Sequence, residues 1–249
     1  MTIRSNLAAA VAAIFVGGCA TLPTQGQPSA LRGQVSDVST DYSLGLACLG
    51  ERIERTRKPA LTVFVDPIED LTVPERFDGR RLSSGGQWWI HTAIHKLGTR
   101  SVNAVAARSG KADARNPNHL VISGAWTQDD QGVGETKAGL GAVFRRAGIH
   151  LGGRDSFDVI AGDFVSSRRG RVAHAAAISV AVSSSRAGLN LVVEDGEREF
   201  ALDFSHSLQE GPQFAQRRIA EAAVMVHIAR AFNVDYRPCI ETGETKTAS

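Results

Sequence analysis

Between Phe200 and His206 apolar residues alternate with small or acidic ones: Phe200, Leu202 and Phe204 against Ala201, Asp203 and Ser205. A period of two is that of a β-strand with one apolar face. Upstream, in the run Ala173 to Val193, Ala176, Ile178, Val180 and Val182 alternate with Ala177, Ser179, Ala181 and Ser183. Asp195-Gly196 between the two runs is a hairpin signal. An earlier stretch repeats the pattern. Ala138, Leu140, Ala142 and Phe144 lie on one side, Arg145 to Arg154 supplies a glycine-bearing turn, and Ser156, Asp158 and Ile160 alternate with Phe157, Val159 and Ala161 on the return. Arg168-Arg169-Gly170 makes the turn between the two stretches, so the sequence predicts two long hairpins, about 134–164 and 172–209. Taken alone, such alternation belongs more often to a soluble core sheet than to a membrane barrel.

The flanking segments predict an α/β domain. Leu61 to Val65 is a short apolar run of the buried-strand type, ended by Asp66-Pro67. Ile68 to Leu82 has no period and predicts a long loop. Ile90, Ala93, Ile94 and Leu97 recur at helical spacing, giving a helix over 86–97 with Gly98 as its stop. Val102 to Ala107 and His119 to Gly124 predict strands on either side of the Asn116-Pro117-Asn118 turn, and Gln128 to Gly134 reads as a polar break. Gln213 to Phe232 is the clearest helix, with Pro212 at its start and Phe214, Ile219, Ala222, Val226 and Ala229 on one face. Residues 241–249 form a polar tail expected to be disordered. The class is α+β, with a helix on a sheet, two hairpins and a last helix.

The amino terminus changes the setting. Arg4, the apolar run Leu7 to Val16 and then Val16-Gly17-Gly18-Cys19 have the form of a secretory signal with small residues before a cysteine. The segment resembles the bacterial lipobox, which implies a signal peptide over 1–18, acylation of Cys19 and a lipidated tether over 19–33. Val16 stands where leucine is usual, and Ala20 stands where an aspartate would retain the protein at the inner membrane, so the implied destination is the outer membrane. Several acyl chains at about 0.8 kcal/mol per buried CH2 would anchor the chain stably. The folded part then spans 34–240. No apolar run reaches the roughly 18 residues of a membrane helix, so any crossing would have to be made by strands. Lys+Arg 28 against Asp+Glu 26 leaves +2, which gives no argument for a nucleic-acid partner. Cys48 and Cys239 lie in a compartment that permits disulfides; a bridge between them and two free thiols both remain open.

Residues suggestive of chemistry read as structure instead. His91 and His95 stand four apart on a predicted helix, but Thr92 occupies the place of a protease glutamate and no third ligand is evident. Gly132-x-Gly134 and Gly139-x-Gly141 lack the context of a phosphate loop, and Ser183-Ser184-Ser185 lacks the glycines of a nucleophile elbow. Asp129 and Asp130 read as a solvated turn. No catalytic constellation, metal site or cofactor is expected.

Gly148-Ile149 through Phe157-Asp158-x-Ile160-Ala161-x-Asp163-Phe164, followed by the turn Arg168-Arg169-Gly170, resembles the CsgG family, the curli production assembly/transport lipoproteins, including the holdfast-anchoring HfaB branch. The resemblance covers about Pro59 to Phe232. It implies a periplasmic α/β domain whose two hairpins contribute four strands to an oligomeric transmembrane β-barrel. Two hairpins cannot close alone, and a nine-fold ring of this chain would supply about 36 strands. The implied function is a homo-oligomeric outer-membrane channel that exports or anchors secreted adhesin or fibre subunits, curli-like or holdfast, without cofactor, with an accessory periplasmic factor among its implied partners. In that family the loop after the first strand forms the pore constriction, which places Val73, Pro74, Phe77 and Asp78 there. Val73 replaces the family's tyrosine, and Phe77 either lines the pore or packs beneath its own loop. Phe200, Leu202 and Phe204 would face lipid, with Asp203 and Ser205 facing the lumen. The alternative is a periplasmic outer-membrane-anchored lipoprotein, a binding or ring module for exopolysaccharide or adhesin assembly without a barrel.

Overall fold

The computed structural model describes residues 40–73, 82–105, 111–133, 157–183, 189–195, 198–204 and 212–244, all within the unit Ser39–Ser249. The fold is α+β, built on one mixed sheet. Strand β1 (Leu61–Asp70) buries Leu61, Val63 and Val65, and its register shifts between Val65 and Ile68. Pro67 offers no N–H to the ladder, so the strand bulges at Asp66-Pro67 and then resumes, where the sequence pattern had ended it. Helix α1 (Asp41–Arg55) precedes β1, and helix α2 (Gly86–Lys96) carries the chain over to β2 (Val102–Val105), which pairs parallel with β1. Strand β3 (His119–Val133) lies parallel on the other side of β1.

From β3 onward the pairing is antiparallel, through β4 (Phe157–Arg168), β5 (Arg171–Ser183), β6 (Leu189–Asp195) and β7 (Arg198–Phe204), giving the order β2-β1-β3-β4-β5-β6-β7. Arg169 (φ 54) and Gly170 (φ 71) form the two-residue turn between β4 and β5, both in the left-handed conformation that suits the strand twist. Two sequence expectations are corrected here. Gln128 to Val133 is strand, not a break, and Asp129 and Asp130 pair with Ile160 and Val159; register shifts on either side accommodate them. The run Ala173 to Val193 is two strands, β5 and β6, paired from Val182↔Leu189 to Ala177↔Glu194. The physical reason is local: Ser183-Ser184-Ser185-Arg186-Ala187-Gly188 is turn composition, and no apolar alternation bridges it. The Asp195-Gly196 hairpin lies between β6 and β7, with Asp195 paired to Arg198. The sheet is also stepped along the strands. Strand β2 pairs with the first residues of β1, level with the β4–β5 turn, whereas β6 and β7 lie beside the opposite ends of β4 and β5.

Helix α3 (Pro212–Phe232) packs on β4 and β5, beside α2 and beneath α1; helix α4 (Arg237–Glu244) packs on α1. Every residue from Arg218 to Ala229 is buried. Helix α1 was not foreseen: Tyr42, Leu46, Leu49 and Ile53 form its buried stripe, but Gly45 and Gly50 interrupt the sequence signal. Gly50 is required there, since a Cβ would come 1.8 Å from the Leu97 carbonyl oxygen at the close crossing of α1 and the end of α2. The Cys48–Cys239 disulfide joins α1 to α4. Helix α4 also continues to Glu244, so helical structure extends into the segment read as tail from residue 241.

One polar cluster ties the helices together. Thr40 caps α1 in a box with Ser43, and its hydroxyl donates to Glu221 Oε2 on α3. Lys96 Nζ, at the end of α2, donates to Glu221 Oε1 at 2.9 Å and to Ser43 Oγ at 2.9 Å, and Ser43 Oγ donates to Glu221 Oε2 at 3.3 Å. The Tyr42 phenol beside them is pushed well above its ordinary pKa by burial, with Tyr236 and the Glu221 carboxylate adding to the shift. Removing one partner of a buried pair leaves the other charge without compensation, at about 3–5 kcal/mol. Lys96→Met is therefore expected to lower stability by about that amount in urea titration, and Lys96→Met/Glu221→Met to recover part of it. A midpoint unchanged by Lys96→Met would refute the role given to the pair.

Candidate functional site: the clamped roots of the β1–α2 loop

The loop between β1 and α2 is held at both roots. At the first, Asp70 is buried at the end of β1, and its Oδ1 accepts from Thr72 N–H (3.0 Å) and Thr72 Oγ1 (2.6 Å), closing a turn. Leu71 N–H donates to the Trp126 carbonyl on β3 at 3.0 Å. Asp70 and Trp126 are register partners on neighbouring strands, so they share the helix-covered face. At the second root Leu82 is buried and Ser83 is clasped by Gln216 of α3: Ser83 N–H donates to Oε1 at 3.0 Å, and Gln216 Nε2 donates to the Ser83 carbonyl at 3.2 Å. A primary amide thus pairs with a backbone unit as another strand would. Gln87 Nε2 then donates to the Val65 carbonyl at 2.6 Å, above the bulge in β1.

Aromatic packing joins the two roots. Trp126 is fully buried, meets the Phe164 ring edge-on with centroids 5.9 Å apart, and lies 6.3 Å from Trp89 on α2. Arg217 stacks over Trp89 at 5.6 Å. Its neighbour Arg218 is buried over Phe214; burial lowers its pKa to about 10, opposed by Glu221, so the guanidinium remains charged at neutral pH. Of the four residues expected at a constriction, Val73 is half-buried just past the first root; Pro74, Phe77 and Asp78 lie outside the described residues. Cys19 lies outside them too. Phe200, Leu202 and Phe204 stand in β7 in register with Val193, Leu191 and Leu189.

Two groupings suggest chemistry and are accounted for by packing. Ser166 Oγ lies 3.1 Å from His227 Nδ1, which lies 3.2 Å from His174 Nδ1, but Ser166 and His227 are buried beneath α3, where no substrate reaches them. These contacts fix α3 to β4 and β5. His91 and His95 both sit on α2 facing β2, and among the described residues no group of three or more His, Cys, Asp or Glu side chains could hold a metal ion. Sequence reasoning missed the Gln216 clasp and the Glu221 cluster. The available signal was polar side chains within an otherwise apolar helix.

No family model and no curated protein matches the chain. Among solved structures, a neuraminyllactose-binding hemagglutinin homolog from Helicobacter pylori is similar at 16% identity, covering 76% of this chain and 94% of that one, with a TM-score of 0.19. A likeness of that size supports no inference about fold or activity.

The clasp generates a direct expectation. Gln216→Ala removes two hydrogen bonds to the half-buried Ser83 backbone, each contributing about 0.5–1.5 kcal/mol. Hydrogen exchange at the Ser83 amide should accelerate selectively in that variant, while amides in β4 and β5 keep their rates; equal rates at Ser83 in both proteins would exclude the clasp.

Proposed function

We propose that the chain is an outer-membrane-anchored lipoprotein of the CsgG type, whose copies assemble a channel that exports or anchors adhesin or fibre subunits. The observation that carries this reading is the edge at β7, open among the described residues. The sheet order ends there, and the apolar positions Phe200, Leu202 and Phe204 continue in register through β6 to Ile178, Val180 and Val182 of β5. An edge strand with alternating apolar residues is a template for another strand. A bilayer accepts such strands only when closed, so the missing strands come from further copies. In this reading the clamped loop lies at the mouth of the channel, Phe77 is the candidate lining residue, and Cys19 carries the lipid.

A second reading has its own support. Ile160 of β4 and Ile178 and Val180 of β5 are fully buried in the helix-covered core. Strands β6 and β7 are 7 residues each, against the roughly 9 to 11 that a tilted span needs. A periplasmic module anchored to the outer membrane, with its hairpins in a soluble sheet, fits those two facts.

Leu202→Arg separates the readings. A charge on a lipid-facing position at mid-membrane costs about 2 to 4 kcal/mol. In the channel reading the variant loses barrel insertion, yet its helix-covered domain keeps the wild-type thermal midpoint and protease resistance. Unfolding of the whole domain would instead place Leu202 in a soluble core and remove the channel reading.

A further inference from the structure

Strand β2 ends the sheet opposite β7, and its outer edge is open among the described residues. The ladder shows which backbone groups are free. Leu61 N–H donates to the Ser101 carbonyl, and Thr62 is the register partner of Asn103. In a parallel ladder this directs the N–H and C=O of Asn103 toward β1 and those of Val102 and Ala104 outward. Edge strands are ordinarily guarded by lysine, proline or a bulge, and the sequence Val102-Asn103-Ala104-Val105 has none of these.

A cleft of about 360 Å³ runs along the same edge, between α2 and β2. Its walls are Ile94, His91 and His95 from the helix, Thr99 from the turn and Val102 and Ala104 from the strand, and among the described residues no carboxylate lines it. Val102 and Ala104 are partners of the inward-facing Leu61 and Val63, so alternate side chains of a strand added here would enter the cleft. The His91 Nε2 has no hydrogen-bond partner among the described residues, and burial lowers the pKa of that imidazole, which favours its neutral form. An open backbone edge beside a cleft for alternate side chains is the arrangement by which sheets take up extended peptides.

We propose that β2 accepts an added strand from an extended polypeptide, with a side chain of that strand, uncharged or acidic, seated between His91, His95 and Ala104. The donor is a segment of the exported polypeptide; that identity rests on the channel reading, whereas the pairing does not. A neighbouring copy is disfavoured as the donor because its own edge strand, β7, lies at the other end of the stepped sheet. Copies placed side by side do not bring β7 level with β2.

The test uses the full mature chain in mild detergent and a synthetic peptide of about eight residues alternating Val and Thr with one central Glu, a length that fits strand addition. Saturable fluorescence anisotropy is expected, with exchange at the Val102 and Ala104 amides slowed about tenfold or more. Ala104→Pro removes only an outward N–H and is expected to abolish binding at an unchanged thermal midpoint; Ala104→Lys, which guards the edge without a proline, should do the same. Absence of saturable binding, or equal binding by both variants, overturns the proposal. Protection of Ala104 without peptide that rises with protein concentration would identify a second copy as the donor and overturn it too. The assay requires no channel, so a failure of barrel assembly would leave its outcome readable.

Discussion

A helix can be buried on all sides only if each polar group it carries there is met, and α3 is such a helix from Arg218 to Ala229. Gln216, Glu221 and His227 are all inaccessible to solvent, and each is answered by a different neighbour. Gln216 takes the backbone of Ser83, Glu221 takes Lys96 with the Thr40 and Ser43 hydroxyls, and His227 takes Ser166 and His174. An unmet buried carboxylate would cost several kcal/mol, so these contacts fix positions as well as adding stability. They set α1, α2, the loop root and the sheet relative to one helix. The Cys48–Cys239 bridge then secures the outer helices, across a sequence separation of 191 residues.

Two consequences follow for what the molecule presents outward. The β1–α2 loop begins and ends on rigid ground, at Asp70 beside Trp126 and at Ser83 against Gln216, so whatever it contributes is delivered from a fixed position. The helix layer packs on β1, β2, β4 and β5, and among the described residues the stepped sheet ends in two edges of different character. The β7 edge carries strong apolar alternation, whereas the β2 edge is short and has a cleft beside it. Such edges are where a sheet protein gains partners.

Helices α2 and α3 were legible in the sequence because their apolar spacing is regular and their ends carry Gly98 and Pro212. The first strand and the turn at Arg169-Gly170 were legible from local composition. Helix α1 was hidden by Gly45 and Gly50, although one of those glycines exists only to let Leu97 approach. The length of β3 was hidden by Asp129 and Asp130, which pairing with β4 carries through the ladder. The division of β5 from β6 was hidden by alternation on both sides of a serine-rich stretch. The clamps at the loop could not be read at all, since Ser83 and Gln216 lie 133 positions apart and only the fold brings them together. Glu221 and His227, set in the otherwise apolar stretch Ile219 to Ala229, were the local signs that α3 has polar partners.

The account stands or falls on whether the β7 edge is completed by other copies of the chain. The mass of the particle gently extracted from outer membranes, measured by light scattering in mild detergent, addresses this most directly. One species of many chains is expected, dissociating to the single lipidated chain only on heating in denaturant. A monomer as the sole species in unheated extracts would contradict it.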